Sequence, residues 1–303
     1  SKLIWKKNYY KKSEKKLKPT LNMTSHEKYL IVTDSLAKYY AIDIKSGNLL
    51  WMKGNIAPFN SQIKVYKDNF FVTDFQNVLR CYSIKDGKEI WNVKTDNSFV
   101  KSQKKLSLIV SDGKVYFNNS IGDISAVDID SGKLVWQTPT QSSSIYESSF
   151  QLKTSDLVLA DKSILFSNNI NEFYSLDVKT GTLMWQQKIN STVRPIVVDD
   201  LVFTVTLEGF LVIIDSKTGN LIRVTNVFNT IKEKKRTSID PIGFIIGSTN
   251  IYLTTSNGRL IVIDILKGKP ILMIKIDNKN ISRPFILDKK LFIIKDSAII
   301  KLD

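Results

Sequence analysis

The sequence predicts an all-β fold, a β-propeller of four-stranded antiparallel blades, on three observations. A strand–turn–strand pattern recurs along the 303 residues, each clear copy keeps the same turn and closing residues, and the two ends of the chain each carry half of one further copy. The pattern is clearest in Ala41-Ile-Asp-Ile-Lys-Ser-Gly-Asn-Leu-Leu-Trp51 and returns at residues 82–91, 127–136 and 176–185, with looser copies at 214–223 and 263–272. Its glycines, Gly47, Gly87, Gly132, Gly181, Gly219 and Gly268, stand 40, 45, 49, 38 and 49 residues apart, a spacing suited to four-stranded blades.

Each residue of the pattern has a physical role. Alternating apolar residues such as Ala41, Ile42 and Ile44 mark a covered strand. The glycine supplies the positive φ of the turn, and the Asp and Ser or Thr before it hydrogen-bond the turn's backbone. Trp51, Trp91, Trp136 and Trp185 close the four clear copies; at 150–250 Å² each and about 25 cal/mol per Å², burial contributes roughly 4–6 kcal/mol gross per residue. Four such residues at equivalent places predict one packing site repeated between adjacent sheets.

Taken in order, residues 1–10 hold Lys2-Leu-Ile-Trp5, the second half of the pattern without its first. Ala298-Ile-Ile-Lys-Leu-Asp303 is the first half without its second. The two predict a composite last blade, in which the N-terminal strand pairs with the C-terminal blade and removes an open edge. The blades then fall at 19–54, 58–96, 104–139, 152–190, 193–227, 240–277 and 281–303, all in one domain. Arg194-Pro195 and Arg283-Pro284 stand at matching places before apolar strands, where proline is tolerated. Two connections exceed what the repeat needs, 139–156 and 228–240. The first carries Ile145, Tyr146, Phe150 and Lys153, and loops on a rigid scaffold are where binding residues concentrate.

Charge is the loudest feature of the composition, at a formal +15. Residues 1–18 hold eight lysines against one glutamate, and Lys232-Glu-Lys-Lys-Arg236 forms a second cluster. An anionic membrane surface and a solvated basic surface both accommodate this pattern; the same Coulomb attraction would serve nucleic acid, which is not expected as a partner. No run of eighteen apolar residues is present to span a bilayer. The chain begins at Ser1 without methionine, as a processed product would.

The chemical inventory predicts no enzyme, no metal and no cofactor. His26 is the single histidine and Cys81 the single cysteine; the first precludes a multi-histidine metal site and the second packs as a small hydrophobe. Neither a Gly-x-Ser-x-Gly elbow nor a phosphate-cradling glycine loop occurs. Asp43, Asp128, Asp177, Asp215 and Asp264 each have a place in a turn.

The repeat resembles the pyrroloquinoline-quinone-type propeller motif, a strand ending in Ala-Leu-Asp followed by x-x-x-Gly-x-x-x-Trp. Within that superfamily the segments Val193–Phe203, Met184–Ile189 and Leu291–Leu302 look like blades of the BamB family, lipoprotein subunits of the outer-membrane β-barrel assembly machine. The resemblance implies a non-enzymatic periplasmic scaffold, lipid-anchored at the outer membrane through a segment outside this chain. It would bind the barrel-bearing, BamA-like subunit, and unfolded outer-membrane proteins, through loops on one face. The connection between the third and fourth blades takes part in that family's contact with the barrel-bearing subunit, so Ile145, Tyr146, Phe150 and Lys153 are the expected partner-binding residues; the family's arginine motif has no counterpart here. The family's propellers have eight blades. Seven motifs are countable in this chain and 49 residues are too few for two blades, so seven is expected and eight is the alternative. Other functions open to the repeat are a propeller with another peptide or protein partner and a quinone-dependent dehydrogenase.

Overall fold

The computed structural model describes all residues except 1–2, 97–103, 141–151, 296–297 and 303. It contains seven antiparallel sheets, each running through consecutive strands, and its fold is that of a seven-bladed propeller. The first sheet comprises β1–β4 (Leu21–His26, Tyr29–Asp34, Lys38–Asp43, Leu49–Gly54) and the second β5–β8 (Lys64–Tyr66, Asn69–Thr73, Val78–Ser83, Glu89–Lys94). The third comprises β9–β12 (Leu108–Ser111, Lys114–Asn118, Ile124–Asp128, Leu134–Thr138) and the fourth β13–β16 (Val158–Ala160, Ser163–Ser167, Phe173–Asp177, Leu183–Gln187). The fifth is β17–β20 (Ile196–Val198, Leu201–Val205, Phe210–Asp215, Leu221–Asn226) and the sixth β21–β24 (Pro241–Ile246, Asn250–Thr255, Arg259–Asp264, Pro270–Lys275). The seventh has three strands, β25–β27 (Phe285–Leu287, Lys290–Lys295, Ala298–Leu302). Two short helices, α1 (Lys12–Lys16) and α2 (Glu233–Arg236), lie in connections that lead into the first strand of a sheet.

The chain groups into two compact units, Ser1–Leu152 and Lys153–Asp303. In the first unit, β6 shows how the core is built. Phe70 and Val72 pack toward Ile31 and Tyr39 of the first sheet, while Phe71 between them packs toward Val115 and Phe117 of the third. Alternate side chains of a strand face opposite ways, so a strand covered on both sides must be apolar throughout. The second unit repeats the arrangement: Val202 and Val212 of the fifth sheet meet Leu165 and Phe173 of the fourth, and Phe203 and Ile213 meet Phe244 and Ile261 of the sixth.

The outermost strands differ. In each of the six four-stranded sheets the register shifts by one residue just after the turn, as between Ala41 and Ile42 or Ile213 and Ile214. The shift leaves Leu50, Ile90, Val135, Met184, Ile222 or Ile271 as the extra residue, each exposed. A bulge of this kind twists an edge and interrupts its ladder.

The closing strand expected for residues 1–10 differs from what forms. Residues 3–9 carry no strand and the seventh sheet has no fourth strand among the described residues. The force that fixes this segment within the first unit is side-chain packing instead of a backbone ladder. Trp5 donates its Nε1–H to Ile44 O at 2.9 Å, Tyr9 donates to Gly47 O at 2.7 Å, and Tyr10 donates to the Asp34 carboxylate at 2.5 Å.

Candidate functional site

The repeated motif builds one seat several times. Trp51 lies over Gly87 and donates its Nε1–H to Ile84 O at 2.9 Å. Trp91 does the same with Gly132 and Ile129 O, and Trp185 with Gly219 and Ser216 O. Trp5 does so with Gly47 and Ile44 O. At Gly87 the φ is +67°, and a Cβ there would stand 2.7 Å from the indole, so both the turn and the ring require glycine. Trp136 lies near Tyr116, the rings tilted by 42° with centroids 6.0 Å apart. Gly181 N–H donates to Asp177 O within its turn. At Gly268 the pattern changes: Arg223 takes the tryptophan's place, its Cδ against the glycine and its Nη1 donating to Ile265 O at 3.3 Å and Leu266 O at 2.6 Å. The guanidinium thus keeps the carbonyl contact three residues before the glycine while giving up the ring.

The turn carboxylates serve this seat. Backbone donation from Ser46 holds Asp43 below the ordinary carboxylate range, the Ser46 hydroxyl adding to it. Asp177 and Asp215 are lowered in the same way by Thr180 and Thr218, and Asp128 first by the Ser131 hydroxyl and then by its N–H. Asp264 accepts from Lys267 N–H at 2.7 Å. Elsewhere, burial pushes the Cys81 thiol up to about 12, which keeps it protonated and inert near neutrality. His26 ends β1, half-buried and paired with Tyr29. Arg80 is tied to buried Asp74 at 3.0 Å and to Glu89 at 2.6 Å within the second sheet. Among the described residues no three His, Cys, Asp or Glu side chains gather as a metal site.

Of the expected partner-binding residues, Ile145, Tyr146 and Phe150 lie outside the described residues. Both ends of their connection are firmly seated. Thr140 is buried and donates its hydroxyl to Gly122 O at 2.9 Å. Leu152 is buried, and Lys153 is exposed with its N–H donating to Asn169 Oδ1 at 2.7 Å. A pocket of about 160 Å³ lies in the second unit between Lys162, Met184, Asp199 and Lys217; it is smaller than the roughly 300–1,000 Å³ of a small-molecule site. Sequence reasoning missed the fastening of the basic N-terminal segment. Besides Trp5, Tyr9 and Tyr10, Glu14 of α1 pairs with Lys38 at 2.5 Å. Only the short spacing of Tyr9, Tyr10 and Glu14 among lysines hinted at it.

A family model described as outer membrane protein assembly factor BamB matches residues 2–225. No curated protein matches the sequence significantly. Among solved structures, BamB from Moraxella catarrhalis superposes with a TM-score of 0.77 at 15% identity, covering 93% of this chain and 83% of that one. A europium-containing methanol dehydrogenase gives a TM-score of 0.60 at 12% identity, covering 90% of this chain and 82% of its own. The computationally designed Ika8 protein gives 0.51 at 13% identity, with 93% and 96% covered. At these identities the structural likenesses establish the fold alone.

Proposed function

The chain belongs to the outer membrane protein assembly factor BamB family, and on that premise we propose that it is a non-enzymatic scaffold for the assembly of β-barrel proteins into an outer membrane, working at its periplasmic face. The observation that carries this reading is the family match across residues 2–225 on a seven-sheet fold of the same kind. A rigid sheet framework with a long connection seated at both ends suits presentation of a binding surface. The connection 139–156 would meet the barrel-bearing subunit, with Ile145, Tyr146 and Phe150 as apolar anchors and Lys153 beside them; aromatic anchors of this type carry much of the energy of interfaces. Unfolded outer-membrane proteins are the second class of partner. The lysines of α1 and its flanks would face anionic lipid.

A pull-down from the native membrane fraction tests this reading, using the intact protein beside a Tyr146→Ala/Phe150→Ala variant. The expected result is a barrel-assembly subunit recovered with the parent and lost with the variant. Equal recovery moves the contact surface elsewhere on the protein. Recovery of no such subunit sinks the scaffold reading and leaves a propeller with another partner.

A further inference from the structure

We propose that Asn169 is a positioning residue for partner binding: its side chain clamps the backbone at Lys153 and so fixes the exit of the connection 139–156. The role rests on the scaffold reading, in which that connection meets the barrel-bearing subunit. The clamp itself is part of the fourth sheet. Three successive pairs fasten the chain just ahead of β13. Ser155 N–H donates to Ser167 O at 2.7 Å while Ser167 N–H donates to Ser155 Oγ at 2.9 Å, and Thr154 bridges Asn168. Lys153 makes the third pair: its N–H donates to Asn169 Oδ1 at 2.7 Å, and Asn169 N–H donates to Lys153 O at 3.1 Å. The first of these bonds needs a side-chain acceptor at residue 169, the second only a backbone.

Matching places in other sheets show what the side chain is for. The turn that follows the second strand holds Ser35 in the first sheet and Ser256 in the sixth. Thr20 N–H donates to Ser35 Oγ at 3.0 Å and Asp240 N–H to Ser256 Oγ at 2.9 Å, and each serine N–H donates back, at 3.1 and 2.8 Å. These sheets are entered through α1 and α2, as the fourth is entered through the connection 139–156. The second and fifth sheets are entered through the shorter connections 55–63 and 188–195. There Phe75 and Leu207 stand at the matching place and donate only their backbone N–H, to Pro58 O at 2.9 Å and Asn190 O at 2.8 Å. A hydrocarbon side chain suffices where the chain passes directly to the next sheet, and a side-chain acceptor is added where a long connection must return on a fixed line. Of the three clamped residues Thr20, Lys153 and Asp240, only Lys153 belongs to the expected partner-binding set. It is exposed, and among the described residues its ammonium has no partner. Fixing its backbone therefore fixes where a free cation is offered.

The test joins the pull-down to a coupling cycle. Release of the recovered barrel-assembly subunit is timed for the intact protein, Asn169→Leu, Asn169→Ser, Lys153→Met, the pair Asn169→Leu/Lys153→Met, and Ser256→Leu. Asn169→Leu should release the subunit about fivefold faster, as the loss of one hydrogen bond predicts. Asn169→Ser supplies the acceptor used at Ser35 and Ser256 and should restore parental release. Because Asn169 acts through Lys153, Asn169→Leu should add nothing once Lys153→Met is present. Ser256→Leu opens the same clamp on the sixth sheet, so it should lower the thermal midpoint as much as Asn169→Leu and leave release unchanged. Tryptic cleavage after Lys153 reads the clamp without a partner: it should quicken about fivefold in Asn169→Leu and not in Asn169→Ser. Asn169→Ala carries these measurements if Asn169→Leu fails to fold. The proposal is overturned if cleavage after Lys153 is unmoved, if Asn169→Leu keeps its full effect beside Lys153→Met, or if Ser256→Leu speeds release equally. Recovery of no subunit with the parent sinks the scaffold reading and this role with it, whereas parental release from Asn169→Leu sinks the role alone.

Discussion

At the scale of the residue, the indole seat gives the sharpest expectations. Gly87→Ala forces a side chain into a positive-φ position and into the Trp51 ring, so a loss of about 1–3 kcal/mol is expected in denaturant unfolding. Arg223→Trp should act the other way: it restores the ring over Gly268, and a gain of about 1 kcal/mol would raise the thermal midpoint by about 2 °C. An unchanged or lower midpoint would show that the Arg223 hydrogen bonds outweigh a ring at that seat. The turn carboxylates predict a pH response. Asp43, Asp128, Asp177 and Asp215 have folded-state pKa values lowered by their donors. Their contribution is therefore present above the unfolded value of about 3.9 and is lost as pH falls through the folded values. Urea midpoints followed downward from pH 7 should drop below about pH 4, and less so with these aspartates changed to asparagine. These residues were legible in the sequence because each performs the same task in successive copies. Arg223 was legible only as a missing tryptophan, since the guanidinium's substitute contacts depend on carbonyls that a sequence does not locate.

At the scale of the element, the N-terminal segment and the outer strands departed from simple pattern reading. The half-motif at Trp5 predicted a strand, yet its order comes from three aromatic side chains and the Glu14–Lys38 pair. Lysine-rich stretches carry little period for a ladder to exploit, so their fastening points are invisible until the partner strands are placed. Tyr10→Phe combined with Glu14→Gln should free residues 6–18 while leaving the sheets intact. The expected readout is faster tryptic cleavage after Lys11–Lys18 with a fall in global stability of about 1–2 kcal/mol at most. The bulge at the start of β4, β8, β12, β16, β20 and β24 was also hidden. Leu50, Ile90, Val135 and Met184, the apolar residues just before the tryptophans, are the extra residues of their bulges and stand exposed. Strand pairing between edges is thereby discouraged while apolar side chains stay available.

At the scale of the whole molecule, strand order was legible because the glycine spacing counts the blades, whereas the proposed contact residues Tyr146 and Phe150 belong to no repeat and were singled out only by the length and apolar content of their connection. Charge joins the two levels. The Asp-x-x-x-Gly turns and the turns joining first to second strands mix the two signs, as Lys67 with Asp68, Lys85 with Asp86 and Lys162 with Asp161. The excess lies in the connections between sheets, foremost in residues 6–18 with seven lysines against Glu14. Vesicles containing phosphatidylglycerol should accordingly bind the protein in a salt-sensitive way. Changing Lys11, Lys12, Lys15 and Lys16 to glutamine should weaken binding by about 1 kcal/mol per residue, whereas the same change at Lys45, Lys85, Lys88 and Lys133 should matter little. Equal effects from the two sets would leave only diffuse attraction by net charge.

The handing of an indole from one sheet to the next glycine also has a mechanical side. Each such contact joins residues about 40 apart in sequence, so a pull on the chain loads these joints in turn. Stretched from its ends, the protein should yield in a series of small releases, each paying out about one blade of chain. The joint where Arg223 stands in for a ring should part at the lowest force.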